Sequence, residues 1–512
     1  MNNQSGRKVL KGAAWMGAGR IVVNLSGFIS TIVLARLLSP DDFGLVAIAM
    51  AAAAVVGSVS ELSLTQALVQ FDDPEDDDYH SAWTLNLLRA CAISAILMAI
   101  AWPMAAAYSE PRLIPIFAVV AFTAAARALE NPRIVVFRRA LDFRPDFEFD
   151  VVEKIVSLVV AVAIAFVLRS YWALIFGAAA ATLARVALTY IKMPYRPRFH
   201  LSRWRALMSF SIWLTFSEIV KTISLRAVPL VVGAFLPTVA VGQFSVGERV
   251  ASMPVRESIG ALQATLFPAF SRMANDLGRM RAAYVRAQAM TSLAALPFGF
   301  GLAAVAQPVV LIVLGAKWLP AVPVLQAVAI ASSVQAIQNA LPLAMATGRT
   351  NEILWRNVRS FLIQMPLLVL GLAVGRGSAL GGLEGLSIAL VASAIANSAI
   401  NMAMVRKLVA SPFSEQIGLA ARPFLASVVM AALVLLLVGM FPAAGTDLPS
   451  ILTLAAIIAA GVAAYAASLF ALHAMFGGPA SSERELAGLA LAGLARVKPR
   501  ARTGTNPTRR IR

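Results

Sequence analysis

Fourteen stretches of roughly 20 or more apolar residues, each closed by a polar or Pro/Gly break, run almost end to end through this 512-residue chain. They fall at about 12–38, 42–70, 80–108, 113–137, 150–168, 171–191, 206–235, 240–270, 285–314, 322–347, 354–375, 382–405, 422–441 and 450–475. A bilayer core of about 30 Å takes about 20 helical residues to cross. Backbone polar groups in lipid must be satisfied internally, so only helices or a closed barrel can span. No ten-residue alternation of the barrel type is present. The expected fold class is therefore an all-α polytopic membrane protein with about 14 transmembrane helices. Composition agrees: 14% of residues are charged and 59% hydrophobic, with mean hydropathy +0.77. A soluble enzyme, a disordered chain and a secreted disulfide scaffold are excluded. The single cysteine, Cys91, allows no internal disulfide, and three histidines are too few for a metal site. No cofactor and no metal are expected.

The formal charge of +18 is explained by topology. With the N-terminus in the cytoplasm, thirty of the 44 Lys and Arg fall in inside segments and the C-terminal tail. Only Arg36, Arg112, Arg169, Lys317 and Arg376 fall in outside loops. This is a positive-inside split with both termini cytoplasmic, so nucleic acid is not an expected partner and membrane lipids are. Arg7, Lys8 and Lys11 precede an apolar stretch too long for a signal h-region, which is expected to be the first span. The acidic run from Asp72 to Asp78 is expected to be a solvated loop.

Two segments echo each other about 199 positions apart, Ala35–Val46 and Ala234–Val246. Each closes an odd-numbered span, turns tightly and restarts near a Gly/Phe pair. Spans 1–6 and 7–12 are thus expected to form two parallel repeats. The expected organisation is an N-lobe at 1–205, a C-lobe at 206–410, a terminal helix pair at 411–478 and a basic tail at 479–512. Within the tail, Ser482 and Glu485 read as a capping box. No outside loop is long enough to house catalytic residues, and none are assigned.

Nine basic residues remain inside the spans: Arg20, Arg89, Arg127, Lys154, Arg185, Lys221, Arg226, Arg249 and Arg256. Glu61, Glu130, Glu153, Glu218, Glu248 and Glu257 lie at similar depths. All belong to spans 1–8, so the hydrophilic interior is expected there, with Arg356 and Arg359 assigned to an inside loop. An intramembrane charge costs about 2.5–3.5 kcal/mol unless it meets a cavity or a partner. Helical spacing gathers Arg20, Asn24, Gly27 and Thr31 on one face, and Ser58, Glu61 and Thr65 on another. Ser211, Thr215, Glu218 and Thr222 align beside Lys221 and Arg226. Ser245, Arg249, Ser252 and Arg256 align beside Glu248. Arg127, Glu130, Glu153, Lys154 and Arg185 lie toward the cytoplasmic ends, where pairing explains them. The stripes Ser332/Gln335/Gln338/Asn339 and Ser393/Asn397/Asn401 carry no charge and read as interhelical glue. The surplus is cationic and almost entirely arginine, whose planar fork suits phosphates. An anion of diphosphate type is expected, held by Arg20, Asn24, Arg89, Arg226, Arg249 and Arg256. Glu61, Glu218, Lys221 and Glu248 are candidates for ion coupling. The apolar last pair of spans suggests that the anion carries a lipid tail.

Lys11–Trp15 followed by Leu34–Leu45 resembles the opening of Wzx-type polysaccharide flippases, within the multidrug/oligosaccharidyl-lipid/polysaccharide exporter superfamily. Leu266–Ser271, Gly315–Trp318 and Pro323–Gln326 are similar to its colanic-acid and succinoglycan exporter branch. The resemblance covers about residues 7–475 and implies two six-helix lobes plus a terminal pair in a bacterial inner membrane. It implies translocation of an undecaprenyl-diphosphate-linked oligosaccharide by alternating access, in extracellular polysaccharide or O-antigen biosynthesis. A polysaccharide polymerase or co-polymerase is the implied protein partner. A lipid II flippase and a multidrug or cation antiporter are the alternatives within the same fold.

Overall fold

A computed structural model of the chain describes residues 22–59, 68, 74–140, 142–202, 212–379, 381–442, 445 and 447–476. Its main helices are α1 (Val22–Leu37), α2 (Pro40–Val59), α3 (Asp76–Ala107), α4 (Leu113–Ala128), α5 (Arg144–Leu168) and α6 (Trp172–Lys192). There follow α7 (Ile212–Phe235), α8 (Thr238–Ser271), α9 (Leu277–Ala304), α10 (Val322–Ala336), α11 (Thr350–Gly377) and α12 (Gly382–Val409). The last pair is α13 (Phe413–Met440) and α14 (Leu448–Phe476). No strand occurs among the described residues.

Ten helices are long and apolar enough to cross a membrane, or eleven if Leu113–Ala128 and Pro132–Arg139, bent by 56°, form one span. The protein is a multi-pass membrane protein. The shortfall from about fourteen has a physical cause. α1 is short over its described residues. α7 carries Glu218, Lys221 and Arg226, and α8 carries Glu248, Arg249, Arg256 and Glu257, so both are too charged to qualify.

Local chemistry sets the helix ends. The Ser39 hydroxyl accepts the Asp42 N–H at 3.2 Å while Asp42 accepts the Ser39 N–H at 2.9 Å, a capping box with Pro40 in the first turn of α2. Asp276 caps α9 by accepting the Arg279 N–H at 3.0 Å. The second half of the acidic run does not form a loop. Asp76, Asp77 and Asp78 are the first turn of α3, where carboxylates complement the helix dipole. Asp76 is paired with Arg133.

α3–α6 pack chiefly among themselves, as do α7–α12, and α2 lies against α7 and α8 between the two bundles. The largest core runs across this junction. Trp318 is fully buried there, edge-on to Phe43 at 5.4 Å, with its indole N–H donating to the Ala35 carbonyl at 2.9 Å. Gly315 makes the turn that delivers it, at φ +100°, a conformation only glycine adopts freely. Lys317 donates to the carbonyls of Arg36 and Leu38 at 3.0 and 2.6 Å. Arg36 in turn reaches the carbonyls of Ile312 and Val313. Tyr108 donates to the Leu230 carbonyl at 2.8 Å.

The two echoing segments lie against each other in this seam. Gly44 faces the Thr238 carbonyl and Gly242 faces the Pro40 carbonyl, so closely that a Cβ on either would stand 1.8 Å from the oxygen. The contact is reciprocal, and the true offset is 198 residues rather than 199. Thr238 also donates to Asp41. Arg112, between α3 and α4, binds Asp41 and Glu110, each at 2.8 Å. Burial favours its neutral form, but the two carboxylates outweigh this and hold its pKa above the ordinary arginine value.

α13 packs on α9 with a small core of Met430, Val434, Leu454 and Ile457 against Ala304 and Val305. α14 packs mainly on α13 and is tied back where Tyr465 donates to the Leu293 carbonyl at 3.0 Å.

Candidate functional site

Three arginines converge where α7 and α8 descend from the seam. At 1.5 Å per residue, Arg226 lies about 14 Å from the seam end of α7. Arg249 and Arg256 lie about 17 and 27 Å along α8. In a bilayer core of about 30 Å these are interior depths. Arg226, Arg249 and Arg256 all act electrostatically on one carboxylate, Glu248. Glu248 and Arg249 are surrounded by protein atoms, yet both expose their side chains, as do Arg226 and Arg256. Crowded but accessible side chains are not part of a packed core. Glu257, next to Arg256, turns to α1 and accepts the Asn24 amide at 2.6 Å. That bond ties α1 to α8 beside Arg256.

None of the three guanidiniums is closed into an ion pair among the described residues. Arg185 shows the contrast. It is 6% exposed and is held by Glu130 at 3.1 Å, Asp150 at 2.7 Å and Glu153 at 2.9 Å. Glu153 also takes Arg127 at 2.8 Å. A buried, saturated cluster of this kind has no charge left for a ligand. Arg226, Arg249 and Arg256 share one carboxylate, so positive charge is left to attract an anion.

The residues expected to bind substrate therefore divide. Arg226, Arg249 and Arg256 gather around Glu248, one of the ion-coupling candidates, and Asn24 reaches Glu257 beside Arg256. Arg89 does not: it lies on α3 and lines a separate cavity of about 310 Å³ within the first bundle, with Arg127, Glu130, Arg138 and Arg185. Lys221 is exposed on α7 and, with Glu248, borders a cavity of about 330 Å³ in the second bundle. Arg20, Glu61, the Glu218 side chain and the tail with Ser482 and Glu485 lie outside the described residues. No group of three or more metal-ligating side chains occurs among the described residues.

The expectation that interior charge stops at the eighth span fails at Arg356. This residue was assigned to a loop, but α11 begins at Thr350 and carries it inside the second bundle. It faces the cavity shared with Lys221 and Glu248. Its signal was the spacing of Asn357, Ser360 and Gln364, a polar stripe on an otherwise apolar helix. The uncharged stripes of α10 and α12 line the same space.

A model of the family described as "polysaccharide biosynthesis protein" matches residues 33–323. The chain belongs to this family. Among similar proteins is the succinoglycan biosynthesis transport protein ExoT of Rhizobium meliloti (strain 1021), 26% identical over 81% of this chain and 84% of that one. The lipopolysaccharide biosynthesis protein WzxC of Escherichia coli (strain K12) is 22% identical over 71% of this chain and 75% of its own. These names agree with the branch resembled by Leu34–Leu45 and Gly315–Trp318. Among solved structures, the lipid II flippase MurJ in an inward closed conformation superposes with a TM-score of 0.65 at 14% identity, covering 89% of this chain and 98% of that one. An inward-facing multidrug resistance MATE family transporter gives 0.58 at 11% identity, covering 76% and 94%. The fold is that of these transporters.

Proposed function

We propose that the protein is a flippase that moves undecaprenyl-diphosphate-linked oligosaccharide repeat units across the bacterial inner membrane, for extracellular polysaccharide or O-antigen biosynthesis. The observation that carries this reading is the trio Arg226, Arg249 and Arg256 around Glu248, accessible at membrane depth and not closed into ion pairs among the described residues. A diphosphate carries enough charge to satisfy it, and each arginine fork can bind two oxygens. Arg20 is assigned to the same site from its place on the first span. The glycan fills the hydrated chamber while the polyprenyl tail stays in lipid beside the apolar α13 and α14. The positive-inside distribution puts both termini in the cytoplasm, and the chain crosses the membrane fourteen times. The seam of Gly44, Gly242 and Trp318 is then the outer gate, closed here, with the chamber open to the cytoplasmic side. Rocking of the lobes 1–205 and 206–410 breaks the seam and exposes the headgroup outside. No covalent step is needed. Glu248 is the described carboxylate best placed to couple a proton or cation to this cycle. The names of the relatives ExoT and WzxC support the substrate class.

The test is complementation. Deletion of the gene should abolish surface polysaccharide. Arg256→Ala and Arg20→Ala should fail to restore it while reaching the membrane at normal levels. Full restoration by both would remove the site assignment, and intact surface polysaccharide in the deletion strain would remove the function.

A further inference from the structure

Arg356 sits where two adjoining cavities of about 240 and 330 Å³ meet, both within the second bundle. Their sizes are those of small-molecule sites. It donates through Nε to Asn401 Oδ1 and through Nη1 to Asn357 Oδ1, each at 2.9 Å. Both acceptors are neutral, and no carboxylate is paired with the guanidinium among the described residues. The polar part of the wall is mostly amide and hydroxyl, with Gln335, Gln338, Asn339 and Asn397 prominent; Lys221 and Glu248 stand at the edge of the larger cavity, and apolar side chains such as Leu341 and Ile353 complete it. Asn339 is 2% exposed and Asn397 5%, and the Oδ1 of each accepts no hydrogen bond among the described residues. Buried carbonyl oxygens without a donor are costly and mark places where a ligand donates.

Interhelical glue does not account for this arrangement. Amides alone would join α11 to α12 without the cost of an arginine inside the membrane. Side-chain amides both donate and accept, which matches the hydroxyls of a sugar. A guanidinium held by two amides keeps its charge for an anion and presents a planar fork to a carboxylate. The larger cavity is bordered by Glu248, the carboxylate on which the arginine trio acts.

We propose that this amide-lined pocket is the glycan subsite and that Arg356 selects repeat units bearing a carboxylate, as on a uronic acid. The proposal rests on the flippase reading and deepens it: the diphosphate occupies the trio and the sugar next to it reaches into the second bundle. The test uses the purified full-length protein in lipid nanodiscs. Three probes are titrated separately: a glucuronate-containing tetrasaccharide, neutral chitotetraose and inorganic pyrophosphate. The wild type is expected to bind the acidic tetrasaccharide at least about tenfold tighter than the neutral one. Arg356→Gln is expected to abolish that preference and leave pyrophosphate affinity unchanged. Arg356→Lys, which keeps the charge but not the fork, should retain part of the preference and controls for folding. An equal acid-to-neutral ratio in wild type and Arg356→Gln overturns the proposal, as does the lack of any acidic preference in the wild type. Loss of pyrophosphate binding in Arg356→Gln overturns it too, because Arg356 would then belong to the diphosphate site. Failure of the wild type to bind pyrophosphate at all overturns the underlying reading as well.

Discussion

A single methyl group should open the seam. In Gly242→Ala the new Cβ would stand 1.8 Å from the Pro40 carbonyl oxygen and 3.0 Å from the Gly44 nitrogen. Close C···O contacts lie near 3.3 Å, so the carbonyl must retreat by about 1.5 Å. Both colliding groups are backbone, and no rotamer change relieves them. Overpacking of this kind costs about 1–3 kcal/mol, charged entirely to the conformation in which α2 and α8 touch. The equilibrium should shift about 5- to 150-fold away from the closed seam. Gly44→Ala meets the Thr238 carbonyl at the same 1.8 Å and should behave alike. The double variant should shift little further than either single one, because separating the helices relieves both collisions. The readout is maleimide labelling of Leu38→Cys, a fully buried seam residue, in a Cys91→Ala background and in nanodiscs. Labelling proceeds through the open state, so its rate should rise by the same factor. Unchanged labelling in both glycine variants would refute the reciprocal backbone contact as the closure.

Further outcomes follow from the same geometry. Trp318→Ala removes a fully buried indole and its bond to the Ala35 carbonyl. It should destabilise the closed seam by about 3–5 kcal/mol and raise the same labelling rate. Asn24→Cys with Glu257→Cys should be joined by a short bis-maleimide cross-linker, since the tips of the native side chains meet at 2.6 Å; failure of the cross-linker to join them would place α1 away from α8. Arg185→Gln removes the buried cation shared by Glu130, Asp150 and Glu153 and leaves Arg127 as the remaining partner of Glu153. It should lower the melting temperature in detergent, by about 3–5 kcal/mol of stability, with pyrophosphate affinity unaltered. A changed affinity would show that this cluster belongs to the binding site.

The helical membrane class was legible from span length alone. The seam was partly legible as well: the echo of Ala35–Val46 in Ala234–Val246 pointed to two related turns. It did not say that they touch, because contact depends on two glycines losing their Cβ space to each other's backbone. The stripe on α8 puts Arg249 and Arg256 beside Glu248, the carboxylate on which both act. Arg226 is a candidate from sequence alone, but its place beside Glu248 is visible only in the structure, since the two lie on different helices. Arg89 had the same sequence signature as the chamber arginines yet lines a different cavity, and helical spacing carries no information about which bundle a face turns to. Arg356 escapes the sequence reading because it lies only two residues inside the expected span 354–375, where a basic residue counts with the cytoplasmic segment; the helix in fact begins at Thr350. The amide stripes near it were visible but uncharged, and only their convergence on one arginine distinguishes them from packing contacts.

The most direct measurement is the affinity of the purified protein for a polyprenyl diphosphate, compared with the same polyprenol lacking phosphate. The wild type should bind the diphosphate at least about 100-fold tighter, since charge-assisted hydrogen bonds contribute about 1.5–3 kcal/mol each. Arg226→Ala, Arg249→Ala and Arg256→Ala should each lose about tenfold or more. Equal binding of the alcohol and the diphosphate, or wild-type affinity in all three variants, would contradict an arginine chamber that holds a phosphorylated lipid.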